Sequence, residues 1–220
     1  NINFKSINNL ENIIKYKNNN IYFIGIGKSG NIAKHCSELL KCISIKSFTF
    51  NILNLLHGDL GIIQKNDIVI FFSNSEEIKE LIDIIPSLKI KQAYLIGVFC
   101  KKSKFKDLFD EIILIPFTKE ISGNINKIPT NSIMSQLLFS NILVSLLKTK
   151  INLEEYQYNH KFGKIGESFK KVKELLIYKY PTIILNDKID ITNILYTMNN
   201  YKLGCCFFLD NKKKLIGLLT

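Results

Sequence analysis

Apolar residues along the chain fall into short continuous runs, separated by stretches in which they recur every three or four positions. Leu10, Ile13 and Ile14 have helical spacing and predict a helix over residues 7–17. Asn18, Asn19 and Asn20 would end it. Ile21-Tyr22-Phe23-Ile24-Gly25 is an uninterrupted apolar run of strand length, as expected for a strand buried on both faces. The alternation then repeats. The pattern predicts a helix at 31–40, a second strand ending near 48–51 and a third at 67–72. The turn Ser73-Asn74-Ser75 leads into a helix at 76–88. A strand at 92–98 with a short helical stretch, a strand at 111–115 and an apolar helix at 130–148 complete the series. Strands alternating with helices predict an α/β fold with a parallel sheet, in which ligands bind at the carboxyl ends of the strands. Gly27-Lys28-Ser29, Ser73-Asn74-Ser75 and the loop after Ile115 should meet there.

After Gly166 the pattern changes. Residues 168–174 are Lys-rich and polar and read as a linker. Segments at 182–185, 190–198, 205–209 and 214–219 then predict a second small α/β unit, with too little chain to close a core by itself. The expected division is 1–167 and 168–220, the second part being an incomplete domain.

Composition narrows the classes. With 46% hydrophobic and 22% charged residues, the 220-residue chain is not disordered or low-complexity. Its net charge of +11 comes entirely from Lys, since no Arg is present. Without Arg forks to read bases or clamp phosphodiesters, the charge reads as compositional bias and no nucleic-acid partner is expected. The densest Lys runs, at 101–104 and 212–214, look like turns. Cys36, Cys42, Cys100, Cys205 and Cys206 lack metal or disulfide spacing, which fits a reducing cytoplasm. Residues 128–147 are uncharged over the length of a membrane span, but Asn131, Gln136 and Asn141 recur along them. They read as a core or interface helix, and no membrane partner is expected. The start at Asn1 suggests a piece of a longer chain.

Gly25-Ile26-Gly27-Lys28-Ser29-Gly30 has the form of a dinucleotide fingerprint. The acid expected at the end of the next strand is missing, because residues 48–51 read Phe-Thr-Phe-Asn. Lys28 is either a surface residue of a glycine turn or an ammonium aimed at an anionic substrate or developing oxyanion. Ser73-Asn74-Ser75, between strand and helix, is either a phosphate cradle or a helix cap.

Together with His57-Gly58-Asp59-Leu60-Gly61, Pro129-Thr130 and His160 followed by Gly163 and Gly166, these motifs come in an order and spacing that resembles the SIS (sugar isomerase) domain of D-arabinose 5-phosphate isomerases of the KpsF/GutQ type. Residues from about 170 onward resemble the start of a CBS repeat. The resemblance implies a three-layer αβα sandwich with a five-stranded parallel sheet, and a homotetramer with active sites between subunits. It implies interconversion of D-ribulose 5-phosphate and D-arabinose 5-phosphate without a cofactor, feeding 3-deoxy-D-manno-octulosonate and lipopolysaccharide synthesis. A complete CBS pair would add a nucleotide site. Carried over residue by residue, the catalytic positions are Lys28, Glu80, Glu120 and His160. Substrate contacts fall on Ser29, His57, Ser73, Asn74, Ser75 and Thr130.

Moving a proton between adjacent carbons through an enediolate needs a carboxylate base of raised pKa, a cation at the oxyanion and a group that handles hydroxyl protons. Glu80 or Glu120 could be the base. Glu120 is favoured because it follows a strand end. Lys28 would hold the oxyanion, and His57 or His160 would move the hydroxyl proton. The chain departs from the family pattern in three places. Glu76 and Ile78 replace a glycine and a hydroxyl after the serine turn, Lys161-Phe162-Gly163 replaces Pro-Gly-Gly, and the segment between Glu120 and Pro129 has lost its usual sequence. Asn51 stands where some relatives carry a metal-binding histidine, so no metal is expected. The competing readings are a phosphosugar sensor without chemistry, motivated by Glu76 and Ile78, and a nicotinamide enzyme, which the missing acid disfavours.

Overall fold

The structure is a computed structural model that describes residues 4–16, 19–74, 79–101, 106–121, 128–147, 151–185 and 189–220. The chain forms two compact units, Asn1–Gly166 and Glu167–Thr220.

In the first unit five parallel strands form one sheet. They are β1 (Ile21–Gly25), β2 (Ser47–Phe50), β3 (Ile68–Ser73), β4 (Tyr94–Phe99) and β5 (Glu111–Leu114), in the order β2-β1-β3-β4-β5. Side chains alternate across the sheet, and both sets are apolar. Ile21, Phe23, Ile68, Ile70 and Phe72 join one buried cluster with α1 (Phe4–Tyr16), α2 (Lys28–Cys42) and α5 (Asn131–Leu147). Tyr22, Ile24, Val69 and Phe71 join a second with α3 (Ile52–Leu56) and α4 (Lys79–Ile90). Two cores either side of one sheet make the three-layer sandwich expected from the sequence. They also explain why the central strands read as unbroken apolar runs rather than alternating ones.

Several boundaries differ from the sequence reading. Helix α2 starts at Lys28, three residues before the expected position, because its first turn is the polar Lys28-Ser29-Gly30. Helix α3 and the 3-10 turn Asp59–Ile62 were not expected. The Asn51 side chain caps α3 by accepting from Leu53 N at 3.0 Å. The expected start of α4 at residue 76 lies outside the described residues. Within the expected linker, α8 (Val172–Leu175) follows α6 (Leu153–Asn159) and α7 (Lys164–Ser168). No helix among the described residues is long and apolar enough to cross a membrane. Helix α5 instead buries Ser132, Gln136 and Ser140 beside Phe139 and Leu143.

The second unit has a three-stranded sheet, β6 (Thr182–Ile184), β7 (Cys206–Leu209) and β8 (Leu215–Leu219). β6 and β7 are parallel, and β7 and β8 antiparallel. Helix α9 (Ile191–Tyr201) is capped by Asp190, whose carboxylate accepts from Asn193 N at 2.9 Å. Ile194 and Cys206 are buried, whereas Ile191, Leu195, Tyr196, Leu215, Ile216 and Leu218 stay exposed.

Candidate active site at the carboxyl ends of the strands

The glycine turn after β1 is built by close packing. A Cβ on Gly25 would stand 2.8 Å from Gly30 N, and one on Gly30 would stand 2.7 Å from Gly25 O. The end of the strand and the first turn of α2 therefore touch backbone to backbone. Between them Gly27 takes φ 58° and ψ −125°, a conformation that side-chain-bearing residues avoid. This turn sets Lys28 and Ser29 on the opening of α2, where the first N–H groups have no helical partner. Lys28 is exposed and Ser29 half-buried.

Next to this turn β3 ends in buried Ser73 and half-buried Asn74. Lys28, Ser29, Ser73, Asn74, Glu120 and Ser132 line one open cavity of about 640 Å³, of a size that takes a small polar ligand. Ser75 lies outside the described residues.

Glu120 is 8% exposed. Its Oε2 accepts from Thr130 N (2.7 Å), Thr130 Oγ1 (3.1 Å) and Ser132 N (3.2 Å). The Thr130 carbonyl accepts the first bond of α5, from Met134 N at 3.0 Å, and Asn131 Nδ2 donates to Lys119 O at 2.6 Å. The carboxylate thus caps the helix and ties it to the loop after β5. Burial pushes its pKa up, but the hydrogen bonds from Ser132 and Thr130 outweigh this and hold it below the ordinary carboxylate value. The raised pKa expected of a base is therefore not met by Glu120. Thr130 is likewise engaged within the protein, its hydroxyl accepting from Ile121 N at 2.7 Å.

A depressed pKa means that ionised Glu120 stabilises the fold. That contribution is complete above the unfolded carboxylate value of 4.5 and is lost as pH falls through the lower folded value. Glu120→Gln is therefore expected to cost about 1–3 kcal/mol at neutral pH. The gap to wild type should close under strongly acidic conditions, as measured by urea unfolding.

The other expected residues lie elsewhere. Glu80 is exposed in the first turn of α4 and lines a second cavity of about 840 Å³ with Gly25, Asn31 and Asn51. His57 is exposed at the end of α3 and borders neither cavity. The motif around it supplies Gly58 at φ 129°. His160 caps the end of α6, its Nδ1 lying 2.8 Å from Tyr156 O. Gly166 packs so tightly beneath it that a Cβ there would stand 2.2 Å from His160 O. Adjacent Asn159 donates to Ser44 Oγ at 3.1 Å, just past the end of α2. Lys28 opens that helix, whose 15 residues span roughly 22 Å. His160 is thus at the opposite end of the unit from Lys28 of the same chain.

Two of the thiols, Cys36 and Cys100, are not nucleophiles in waiting. Burial pushes Cys100 up to about 11 and Cys36 up to about 12, so both stay protonated at neutral pH. Among the described residues no group of three or more His, Cys, Asp and Glu is placed to hold a metal. Ser132 and Lys101 are among the lining residues that escaped the sequence reading. Ser132 carries a signal in its place in the first turn of a helix, and Lys101 was hidden in a run of lysines.

Comparison with known proteins adds the context. Over 204 residues the chain is 35% identical to an uncharacterized protein of Chlamydia muridarum, covering 91% of this chain and 62% of that one. Over 200 residues it is 30% identical to a protein of Haemophilus influenzae named a probable arabinose 5-phosphate isomerase, covering 89% and 58%. The chain thus spans about three fifths of the length of these relatives. A protein of E. coli CFT073 solved in complex with arabinose 5-phosphate superposes with a TM-score of 0.66 and 29% identity, over 71% of this chain and 84% of that one. Residues 14–146, more than half of the chain, match the SIS domain, and the protein therefore belongs to the SIS domain family.

Proposed function

We propose that the chain is the isomerase part of an aldose–ketose isomerase that interconverts D-ribulose 5-phosphate and D-arabinose 5-phosphate. The observation that carries this reading is the shared cavity of Lys28, Ser73, Asn74 and Glu120. The Haemophilus relative and the neighbour bound to arabinose 5-phosphate support the choice of sugar. In this scheme the carboxylate of Glu120 takes the proton from C2 of the aldose and returns it to C1. The Lys28 ammonium stabilises the enediolate oxygen formed between. Glu120 must be loosened from its capping bonds to act as an effective base, which substrate binding and water exclusion would favour. Glu80, in the neighbouring cavity, is the other candidate.

The hydroxyl proton is assigned to His160 of a neighbouring copy in a symmetric assembly, because the same chain's His160 is a helix length away. Mixing two inactive variants, Lys28→Ala and His160→Ala, should then restore measurable turnover, since mixed assemblies contain some intact sites. No recovery after co-refolding would place the histidine outside the chemistry. Residues 168–220 are read as a linker and the first part of a CBS domain.

The reading is tested by proton exchange in heavy water with arabinose, ribose, glucose and sedoheptulose phosphates. Exchange at C2 of arabinose 5-phosphate is expected, and absence of exchange with all four would overturn it. A second reading, a phosphosugar-binding regulator, draws on the lowered pKa of Glu120. Tight binding without exchange would favour it.

A further inference from the structure

Lys101 is not one of the positions carried over from the family resemblance, yet it lines the same cavity as Lys28 and Glu120. The strand register explains how. β1 and β4 flank β3 on either side, with Gly25 paired to Phe72 and Phe99 paired to Ser73. The turn after β1 carries Lys28 and the end of β4 leads to Lys101, so they approach the Ser73-Asn74 turn from opposite sides. Neighbouring strands are about 4.8 Å apart, so β1 and β4 themselves lie about 10 Å from each other. That separation is comparable to an extended pentose 5-phosphate measured from carbonyl oxygen to phosphorus.

Both side chains are exposed, and neither has a carboxylate partner among the described residues. The acid in the cavity is bound to the amides of Thr130 and Ser132. Among the described lining residues one carboxylate, Glu120, stands against three lysines, Lys28, Lys101 and Lys119, so the cavity keeps a net positive charge that favours an anion.

We propose that Lys101 is the residue that binds the phosphate of the substrate, holding the dianion over the Ser73-Asn74 turn. The reactive end of the sugar is left at Lys28. The inference rests on the isomerase reading and deepens it. It divides the two lysines by task, one for binding in ground and transition state alike and one for the developing oxyanion. A phosphate contact of the first kind appears in KM rather than in kcat.

The test uses the purified chain with D-arabinose 5-phosphate as substrate and inorganic phosphate as competitor. In Lys101→Met, KM should rise about 10- to 100-fold, the range of a charge-assisted hydrogen bond, with kcat little changed. Inhibition by inorganic phosphate should weaken in parallel. Lys101→Arg should recover most of the affinity. Lys119→Met removes a charge from the same cavity without touching the turn and should have a much smaller effect. An unchanged KM in Lys101→Met, or an equal shift in Lys119→Met, overturns the assignment while wild-type turnover keeps the isomerase reading intact. A wild-type chain that neither binds nor turns over the sugar phosphate removes the isomerase reading, and this inference with it.

Discussion

Replacing Lys28 with Met should lower kcat for pentose 5-phosphate isomerisation by about 10²- to 10³-fold, the loss that follows removal of one oxyanion-stabilising group. The melting temperature should not move, because the side chain is exposed and has no carboxylate partner among the described residues. That combination separates chemistry from folding. A variant that keeps wild-type kcat would show that the ammonium is a surface charge on a glycine turn, which was the open alternative in the sequence. The contrast with Lys101→Met is the sharper measurement. Two of the three lysines in the cavity should split cleanly, one acting on kcat and the other on KM.

A large structural effect at the site should come from Gly25→Ala. The added carbon would lie 2.8 Å from Gly30 N and from both the carbonyl carbon and the oxygen of Ser29. These are backbone atoms of a helix start, which no rotamer change can move aside. The strand and helix must separate, at an expected cost of about 2–4 kcal/mol, measured as the shift in urea unfolding free energy. Because the same packing sets where α2 begins, Lys28 moves with it, and turnover should fall even where the fold survives. Gly61→Ala is the control. Nothing lies within 4 Å of a Cβ there and its φ is ordinary, so stability should stay within about 0.5 kcal/mol of wild type.

These contrasts show where sequence information ends. The central strands were legible because Phe23, Ile70 and Phe71 must be apolar on both faces of a sheet covered by helices on two sides. The glycine turn was legible because its spacing is local. Helix α3 was not, since five residues with only Ile52 and Leu55 buried make no periodic stripe. The residue types at Glu120 and Thr130 could be read, but not that one caps the other across a loop. A reader expecting a base finds a carboxylate held below its usual pKa by partners ten and twelve positions away. The place of His160 depends on the Asn159–Ser44 bond, which joins residues 115 positions apart, and no local pattern encodes it.

The cap on α5 and the base of the reaction are one carboxylate. Oε2 of Glu120 holds the amides of Thr130 and Ser132, and a proton taken up on either oxygen removes the charge that strengthens those bonds. On the isomerase reading, each turnover therefore frays the leading end of a 17-residue helix whose Phe139, Leu143 and Leu147 anchor one whole layer of the sandwich. Arrival of the sugar would be felt as a slackening of that layer, well behind the mouth of the cleft.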